Sequence, residues 1–421
     1  MIKFETVIPV FLIIFILSFM FIPGSVIEAE DNEQLEIFSW WTATGEAEGL
    51  NYLIENFELN YPGLSVINSA IHGGAGVNAK EVVKIRILQG DPPDIFQVHG
   101  GSELQDTWIA GGYLQPLTAL WEEERWKESY PETIKDMVKY NDEFYALPVT
   151  IHRSNRLWYN KDIFEKHDLV IPESTEELID TSKKLSDLGI IPLALSSQNK
   201  WPISHIFEII LFEEAGQEKY YKLISGKLSW ENDSVKSSLK KLEDLFKYVN
   251  EDHAALTWSE AAEMVLTEKA AMTIMGTWAG GYYYSRDYVE NKDYETIPFP
   301  GEAEFFGLVI DTFALPEDIT NQIEAEKWLK FVSKPEIQHD FTSLMGALPA
   351  RMNISHHDLR PYLQQDRIDL ENQTIIPSIT HGTATREVFI SSLNDELNQF
   401  LYTNDINATL ERLNEIAELF L

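Results

Sequence analysis

Segments with strand periodicity alternate with segments of helical periodicity between residues 35 and 99, and this alternation restricts the fold more than any other feature. The succession is a strand at 35–41, a helix at 46–60, a strand at 64–71, a helix at 77–88 and a strand at 94–99. Apolar residues in the helical segments recur at the spacing of one helix face, and the strand segments are rich in β-forming residues. Strands and helices that alternate at this distance indicate βαβ units around a parallel sheet.

Two later β-rich segments indicate that the chain passes between two lobes. Residues 145–159, YALPVTIHRSNRLWY, form a long β-rich stretch with a proline inside it, and residues 306–316 have a similar character. Helical patterns follow at 321–332, 388–401 and 409–421. Because 421 residues are more than one minimal domain needs, we predict an α/β fold of two lobes joined by several chain crossings.

The N-terminus carries an apolar run, residues 7–22, which follows Lys3 and ends before Pro23-Gly24. A basic start, an apolar stretch of this length and a nearby small residue are typical of a secretory signal, with cleavage expected after Ala29. An uncleaved N-terminal anchor is the alternative. Both interpretations place the rest of the chain across the plasma membrane, at the cell surface or in the periplasm.

The charge and the lack of cysteine exclude several functions. The chain has 68 acidic and 33 basic residues, for a net charge of −35, so it repels phosphate backbones and anionic lipids. We therefore predict no nucleic-acid partner. Because cysteine is absent, the chain can form no disulfide, thiolate nucleophile, cysteine metal site or lipid anchor on an N-terminal cysteine.

Short motifs for cofactors and metals are weak. Residues 74–79 match the permissive dinucleotide fingerprint GxGxxA, but they follow the second strand, and Asp94 precedes the next strand instead of ending it. We interpret the motif as a tight turn before a helix. His356, His357 and Asp358 are the densest group of possible metal ligands and fit a solvated loop better. We predict no metal and no cofactor.

Polar and aromatic side chains cluster where the predicted strands end, which is where open α/β sheets bind ligands. They are Trp40, Trp41, Glu46, Gln97, His99 and Asp311. An indole face packs on the C–H face of a pyranose, while carboxylates and amides bond its hydroxyls, so the set suits an uncharged polyol. Neighbouring strand residues face opposite sides, so one of Trp40 and Trp41 is expected in the core. His99 fits a hydrogen-bonded histidine at the sheet end equally well.

Almost the whole chain after the N-terminal run resembles the sugar-binding subunits of bacterial ABC importers, the family 1 extracellular solute-binding proteins. The resemblance is carried by EIFSWW, INSAIHGGAGVNAKEVVKIRILQGDPPDIFQVHGG, LPVTIHRSNRLWYNKDIF, KAAMTIMGTWAGGY and FGLVIDTFALP. The stretches DPPDIFQVH, VTIHRSN, GTWAGGY and ITHG are similar to glucose/galactose-binding proteins of the type found in Thermus.

The resemblance implies a type II periplasmic-binding-protein fold, with two lobes that are each a sheet flanked by helices and a hinge between them. Lobe 1 would comprise residues 33–147 and 308–352, and lobe 2 residues 148–307 and 353–421. It implies a monomeric receptor without catalysis, which closes on a monosaccharide of the glucose, galactose or mannose type. The receptor would deliver this sugar to the permease subunits of an ABC importer.

The resemblance also implies a set of ligand-binding residues. They are Trp41, Glu46, Gln97, His99, His152, Arg153, Trp278, Asp311 and His381, together with Trp40 and Trp258, which fit the core equally well. Trp278 would stack on the pyranose, and the polar side chains would bond its hydroxyls. His152 and Arg153 would lie near the cleft floor.

Three alternatives remain open at the level of sequence. One is a receptor for an oligosaccharide, and another is a sensor subunit that presents the bound sugar to a membrane partner. The third is a secreted glycoside-active enzyme, which would need two carboxylates at a defined separation.

Overall fold

The computed structural model describes residues 33–355 and 357–421. The predicted signal segment, residues 1–29, and His356 lie outside these ranges. Among the described residues, no helix combines the length and the apolar character that a bilayer crossing requires.

The strands of the described ranges are β1 (Glu33–Phe38), β2 (Leu64–Asn68), β3 (Ile95–His99), β4 (Lys139–Tyr140), β5 (Glu143–Phe144), β6 (Ala146–Arg153), β7 (Arg156–Asn160), β8 (Ile191–Leu193), β9 (Ala270–Ile274), β10 (Tyr294–Pro298), β11 (Phe305–Ala314), β12 (Leu348–Pro349) and β13 (Thr374–Pro377).

The α-helices are α1 (Glu46–Asn60), α2 (Ala79–Leu88), α3 (Thr118–Glu123), α4 (Glu132–Asp136), α5 (Lys161–Lys166), α6 (Thr175–Asp187), α7 (Trp201–Ile224), α8 (Asp233–Phe246), α9 (Trp258–Leu266), α10 (Trp278–Tyr284), α11 (Gln322–Val332), α12 (Pro335–Met345), α13 (Pro361–Asn372), α14 (Glu387–Thr403) and α15 (Ile406–Phe420). Short 3-10 turns occur at Gly74–Gly76, Trp126–Glu128 and His253–Ala255, and a π-helix at Glu103–Ile109.

The large sheet has the strand order β12-β6-β11-β3-β1-β2, and β13 pairs with β11. β1 lies parallel to β2 and β3, as the alternating pattern predicts for βαβ units. β11 runs antiparallel to both β3 and β6, so the sheet is mixed rather than wholly parallel. The reason is that β6 leads the chain out of this sheet, whereas β11 returns to it from the small sheet and runs in the opposite direction.

The small sheet has the strand order β10-β7-β9-β8. The chain enters it between Arg153, the last residue of β6, and Arg156, the first residue of β7. It returns through residues 299–304 to β11. The protein is thus a two-lobed α/β structure with helices around each sheet. The lobe boundary predicted between residues 147 and 148 falls inside β6, which pairs within the large sheet.

Buried apolar side chains form two large clusters, one around each sheet. The cluster of the large sheet includes Leu35 and Val98, and that of the small sheet includes Leu157 and Met272. Trp201 and Trp258 begin helices that pack around the small sheet, and Trp278 begins α10, which packs between α9 and α12. The rings of all three tryptophans belong to the cluster of the large sheet. The two lobes therefore meet through aromatic side chains.

Candidate functional site

A cavity of about 350 Å³, part of it open to solvent, lies where the two lobes meet. Its walls come from both lobes and are rich in aromatic and titratable side chains. The lining residues are Trp40, Trp41, Glu46, Ala75, His99, His152, Trp201, Trp258, Trp278, Val309, Asp311 and His381.

Strand register brings the polar residues of the large sheet together. Asp311 of β11 lies opposite His99, the last residue of β3, and opposite Thr150 of β6 on its other side. Val309, two residues earlier on β11, lies opposite His152. Because residues two apart on a strand share a face, this register gathers the His99, His152 and Asp311 side chains at one wall.

Asp311 is 4% exposed and is held by two neutral donors. Gln97 Nε2 donates to Oδ1 at 2.8 Å, and Thr150 Oγ1 donates to Oδ2 at 2.8 Å. His99 Nε2 lies 3.7 Å from Oδ1, and His152 Nε2 lies 3.5 Å from Oδ2. A buried carboxylate needs several donors, and each oxygen keeps acceptor capacity for a ligand hydroxyl.

The opposite wall is built from the first residues of three helices. Trp201 begins α7, Trp258 begins α9 and Trp278 begins α10. A capping box of Thr257 and Glu260 fixes the start of α9. Trp201 is 1% exposed, and its Nε1 has no hydrogen-bond partner among the described residues. A buried indole N–H is costly without an acceptor, so this donor is suited to a ligand oxygen.

Two further histidines, His381 and His205, pack against the Trp201 and Trp278 rings of this second wall. The His381 ring lies 5.0 Å from the Trp278 ring and 5.2 Å from the Trp201 ring, and its Nε2 is 3.1 Å from His205 Nδ1. Burial lowers the pKa of His152 to about 4 and that of His205 to about 3, and it holds the pKa of His381 well below its ordinary value. These imidazoles are therefore uncharged at neutral pH, and each offers one donor and one acceptor.

Glu46, the first residue of α1, supplies a second carboxyl group to the cavity. Burial, and secondarily the nearby Asp311 carboxylate, raise the pKa of Glu46 to about 8. Glu46 is thus protonated at neutral pH and can donate as well as accept a hydrogen bond. The preceding Gly45 has φ 89°, and a Cβ there would lie 2.7 Å from the Gly281 carbonyl carbon, so the start of α1 requires glycine.

The raised pKa of Glu46 gives a pH-dependent prediction. Between about pH 4.5 and 8 the folded state keeps the Glu46 proton that the unfolded state has lost, so this group lowers the free energy of unfolding as pH rises. Glu46→Gln removes that effect. From pH 5 to pH 8, we expect the free energy of unfolding of Glu46→Gln to rise by about 2 kcal/mol relative to that of the wild type. The expected change is smaller than the full pKa shift would give, because part of the Glu46 side chain faces the open cavity.

Urea unfolding at several pH values measures this difference. Glu48→Gln is the matched control, because Glu48 is exposed on the same first turn of α1. A difference between Glu46→Gln and the wild type that stays constant with pH would contradict the prediction.

The structure brings all but two of the residues predicted to bind ligand to the wall of the cavity. Gln97 lies behind the wall, where its side-chain amide donates to Asp311 and accepts from the backbone N–H of Trp40 at 3.2 Å. Arg153 points away, because its guanidinium bonds Asp366 and Asp369 of α13. A strand pattern gives the position of a side chain along the chain but not its ion-pair partner.

Trp40 and Trp41 both border the cavity, although strand alternation predicts opposite sides. The reason is that β1 ends at Phe38, so the alternation no longer applies at these residues. Trp41 also packs edge-on against Phe313 and lies 5.3 Å from the Phe341 ring, and it therefore contributes to the core as well.

The sequence reasoning missed Ala75, Trp201 and Val309. Ala75 belongs to the GxGxxA segment, which forms a 3-10 turn with Ala75 at φ 56° before α2 begins. The turn agrees with the interpretation of this motif, and it also carries Ala75 to the cavity. The one sequence signal near Trp201 is the Pro202 that follows it, because proline is common in the first turn of a helix.

In residues 33–355 and 357–421, no group of three or more His, Asp or Glu side chains is arranged to hold a metal ion. His356, part of the group considered from sequence, lies outside these ranges.

Two lobes with a polar and aromatic cavity between them define a protein that encloses a small solute. Comparison with known proteins agrees. The sequence profile of the bacterial extracellular solute-binding proteins matches residues 42–339. The chain belongs to this family, whose members are receptors that bind solutes and not enzymes, so the resemblance noted from sequence is confirmed.

Relatives include an uncharacterized ABC transporter extracellular-binding protein of Pyrococcus horikoshii, 38% identical over 94% of this chain and 90% of the relative. A xylose/arabinose-binding protein of Haloferax volcanii is 26% identical over 84% of this chain and 77% of its own length. Among solved structures, the bacterial solute receptor AcbH, described as preferring β-D-galactopyranose, superposes with a TM-score of 0.82 at 18% identity. That match covers 92% of this chain and 99% of AcbH. This likeness establishes the type II two-lobed fold.

Proposed function

We propose that this protein is an extracellular sugar receptor that binds one monosaccharide of the glucose, galactose or mannose type and delivers it to the permease of an ABC importer. The observation that carries the proposal is the cavity itself. A buried carboxylate and neutral polar groups stand on one wall, and indole rings stand on the other. Relatives named as sugar-binding and as ABC transporter binding proteins support the same function.

The arrangement suits a pyranose in its chemistry. Trp278 offers a ring to the apolar C–H face of the sugar, and the Trp201 N–H is available to a sugar oxygen. Asp311 accepts from hydroxyls, while Glu46 and the uncharged histidines donate and accept. A hydroxyl of the wrong configuration would leave the buried Asp311 carboxylate short of donors, and this cost would discriminate between epimers.

Enclosure by residues of both lobes favours a single sugar unit. Trp40 and Trp41 lie on one side of the cavity, and Trp201, Trp258 and Trp278 lie on the other. Tryptophans close it from both lobes, so a chain of sugars would have to displace at least one indole ring.

Hinge closure is the proposed mechanism. The two lobes are connected where β6 leads into β7, where β10 returns to β11 and where the chain leaves β13. A ligand that contacts both walls favours the closed arrangement by its difference in affinity for the two states. The permease would recognise the closed form. In this proposal the hinge follows β6 at Ser154-Asn155, and the lobe boundary moves there from residue 147.

Titration calorimetry of the purified protein with glucose, galactose, mannose, xylose and maltose tests the proposal. We expect one or two hexoses to bind with a dissociation constant on the order of micromolar or below, which corresponds to about 8 kcal/mol or more. Tight binding of maltose alone would favour an oligosaccharide receptor, and no heat with any of these sugars would contradict the monosaccharide proposal.

A further inference from the structure

Lys80 is a buried cation directly behind the cavity wall. It lies in the first turn of α2 and is 7% exposed, although it does not line the cavity. Its Nζ is 2.6 Å from Glu103 Oε2 and 3.1 Å from His99 Nδ1. Glu103 is fully buried at the start of the π-helix.

The contacts of His99 decide which of its ring nitrogens carries the proton. The Lys80 ammonium can only donate, so the Nδ1 that it approaches is best an unprotonated acceptor. At the other end of the ring, Nε2 faces Asp311 Oδ1 at 3.7 Å, where a proton is favourable and a bare lone pair is not. Lys80 at one end of the ring and Asp311 at the other therefore favour the tautomer protonated at Nε2.

A competing arrangement is built into the same group of residues. Glu103 Oε2 lies 3.2 Å from His99 Nδ1, and without Lys80 this buried carboxylate would accept a proton held at Nδ1. The imidazole would then present an unprotonated Nε2 toward Asp311. The presence of Lys80 therefore decides which of two tautomers is favoured for His99, a residue that lines the cavity.

Lys80 also contacts a second lining residue. Its Nζ lies 5.1 Å from the centroid of the Trp40 ring, and the Trp40 and His99 rings are 4.8 Å apart. Gly76 makes this approach possible, because a Cβ there would lie 2.6 Å from the Trp40 ring and 2.7 Å from Lys80 Cε. The glycine-rich segment thus packs Lys80 between Trp40 and Glu103.

We propose that Lys80 is a positioning residue of the binding site, which donates to His99 Nδ1 and so fixes the tautomer that presents an Nε2–H donor to the cavity. This inference rests on the proposed function, since it states what His99 offers to a sugar: a hydrogen-bond donor to a ring or hydroxyl oxygen. Lys80 acts through His99 and Trp40 and does not touch the ligand itself.

The first test needs no ligand. Two-bond nitrogen–proton correlation spectra of the 15N-histidine-labelled protein distinguish protonated from unprotonated ring nitrogens, and a His99→Gln variant assigns the signals. We expect the His99 proton to lie on Nε2 in the wild type. A proton at Nδ1, or on both nitrogens, would overturn the proposal. Because no sugar is added, this result is independent of whether the protein binds monosaccharides.

The second test changes the donor. We expect Lys80→Met to move the His99 proton to Nδ1 and to weaken hexose binding roughly tenfold or more. Lys80→Arg, which keeps a charged donor, should retain the wild-type tautomer and recover part of the affinity. Lys84→Met makes the same change one turn along α2 and should alter neither the His99 tautomer nor the affinity for hexose.

A variant of Lys80 that fails to fold leaves the wild-type spectrum as the deciding measurement. An unchanged His99 tautomer in folded Lys80→Met would overturn the proposal, whatever its affinity. If no sugar binds the wild type but the spectrum shows the Nε2 proton, the proposed function fails while the positioning of His99 by Lys80 stands.

Discussion

Replacing Asp311 with alanine should weaken hexose binding by about 100-fold or more while the protein remains folded. The carboxylate is the acceptor at the centre of one cavity wall, between His99 and His152. Its removal takes away charge-assisted hydrogen bonds to the ligand, which are about twice as strong as neutral ones. It also leaves the Gln97 amide and the Thr150 hydroxyl without their acceptor in the binding-competent state.

Calorimetry with the hexose that binds the wild type measures the loss. Asp311→Asn is the informative companion, because it keeps the shape and one acceptor oxygen, and we expect a smaller loss of affinity. Asp187→Ala, at an exposed position in the last turn of α6, is the matched control and should bind like the wild type. Affinity of folded Asp311→Ala within about threefold of the wild type would exclude the proposed role.

Replacing Asp366 with alanine should lower the free energy of unfolding by about 3–5 kcal/mol. Asp366 is fully buried in α13, and its Oδ1 accepts from Arg156 Nη1 at 2.5 Å and from Arg153 Nη1 at 3.1 Å. Both arginines are buried at the crossing between β6 and β7. Without Asp366, Arg156 loses the carboxylate it contacts, and Asp369 is the one carboxylate among the described residues that still pairs with Arg153.

Urea unfolding at neutral pH tests this effect, with an exposed ion pair as the reference. Glu218 pairs with Lys222 at 2.6 Å on the surface of α7, and Glu218→Ala should cost less than about 0.5 kcal/mol. A similar loss of unfolding free energy in Asp366→Ala and Glu218→Ala would contradict the prediction, because burial of the arginine cluster would then add nothing to the cost. Since the cluster joins α13 to the crossing strands, a folded Asp366→Ala protein also reports on how the hinge is supported.

The early part of the fold could be predicted from sequence because its signals are local. The helix predicted at 46–60 is α1 with the same bounds, and the strands around it differ from prediction by only a few residues at their ends. Helical and strand periodicities depend on neighbours along the chain, so one sequence suffices to detect them. The mixed direction of the large sheet was missed, because pairing between β3 and β11 joins residues more than 200 positions apart.

Sequence alone determined that this chain is an acidic α/β protein of two lobes and, through its resemblance to a family, predicted most of the polar and aromatic residues that converge between them. Tertiary structure decided the rest. It turned Arg153 to a buried ion cluster, set Gln97 behind Asp311 and brought Trp201 into the cavity. It also decided that Glu46 keeps its proton and that Lys80 approaches His99. The physical reason is that side-chain direction, desolvation and charge pairing depend on atoms distant in sequence, which no local pattern records.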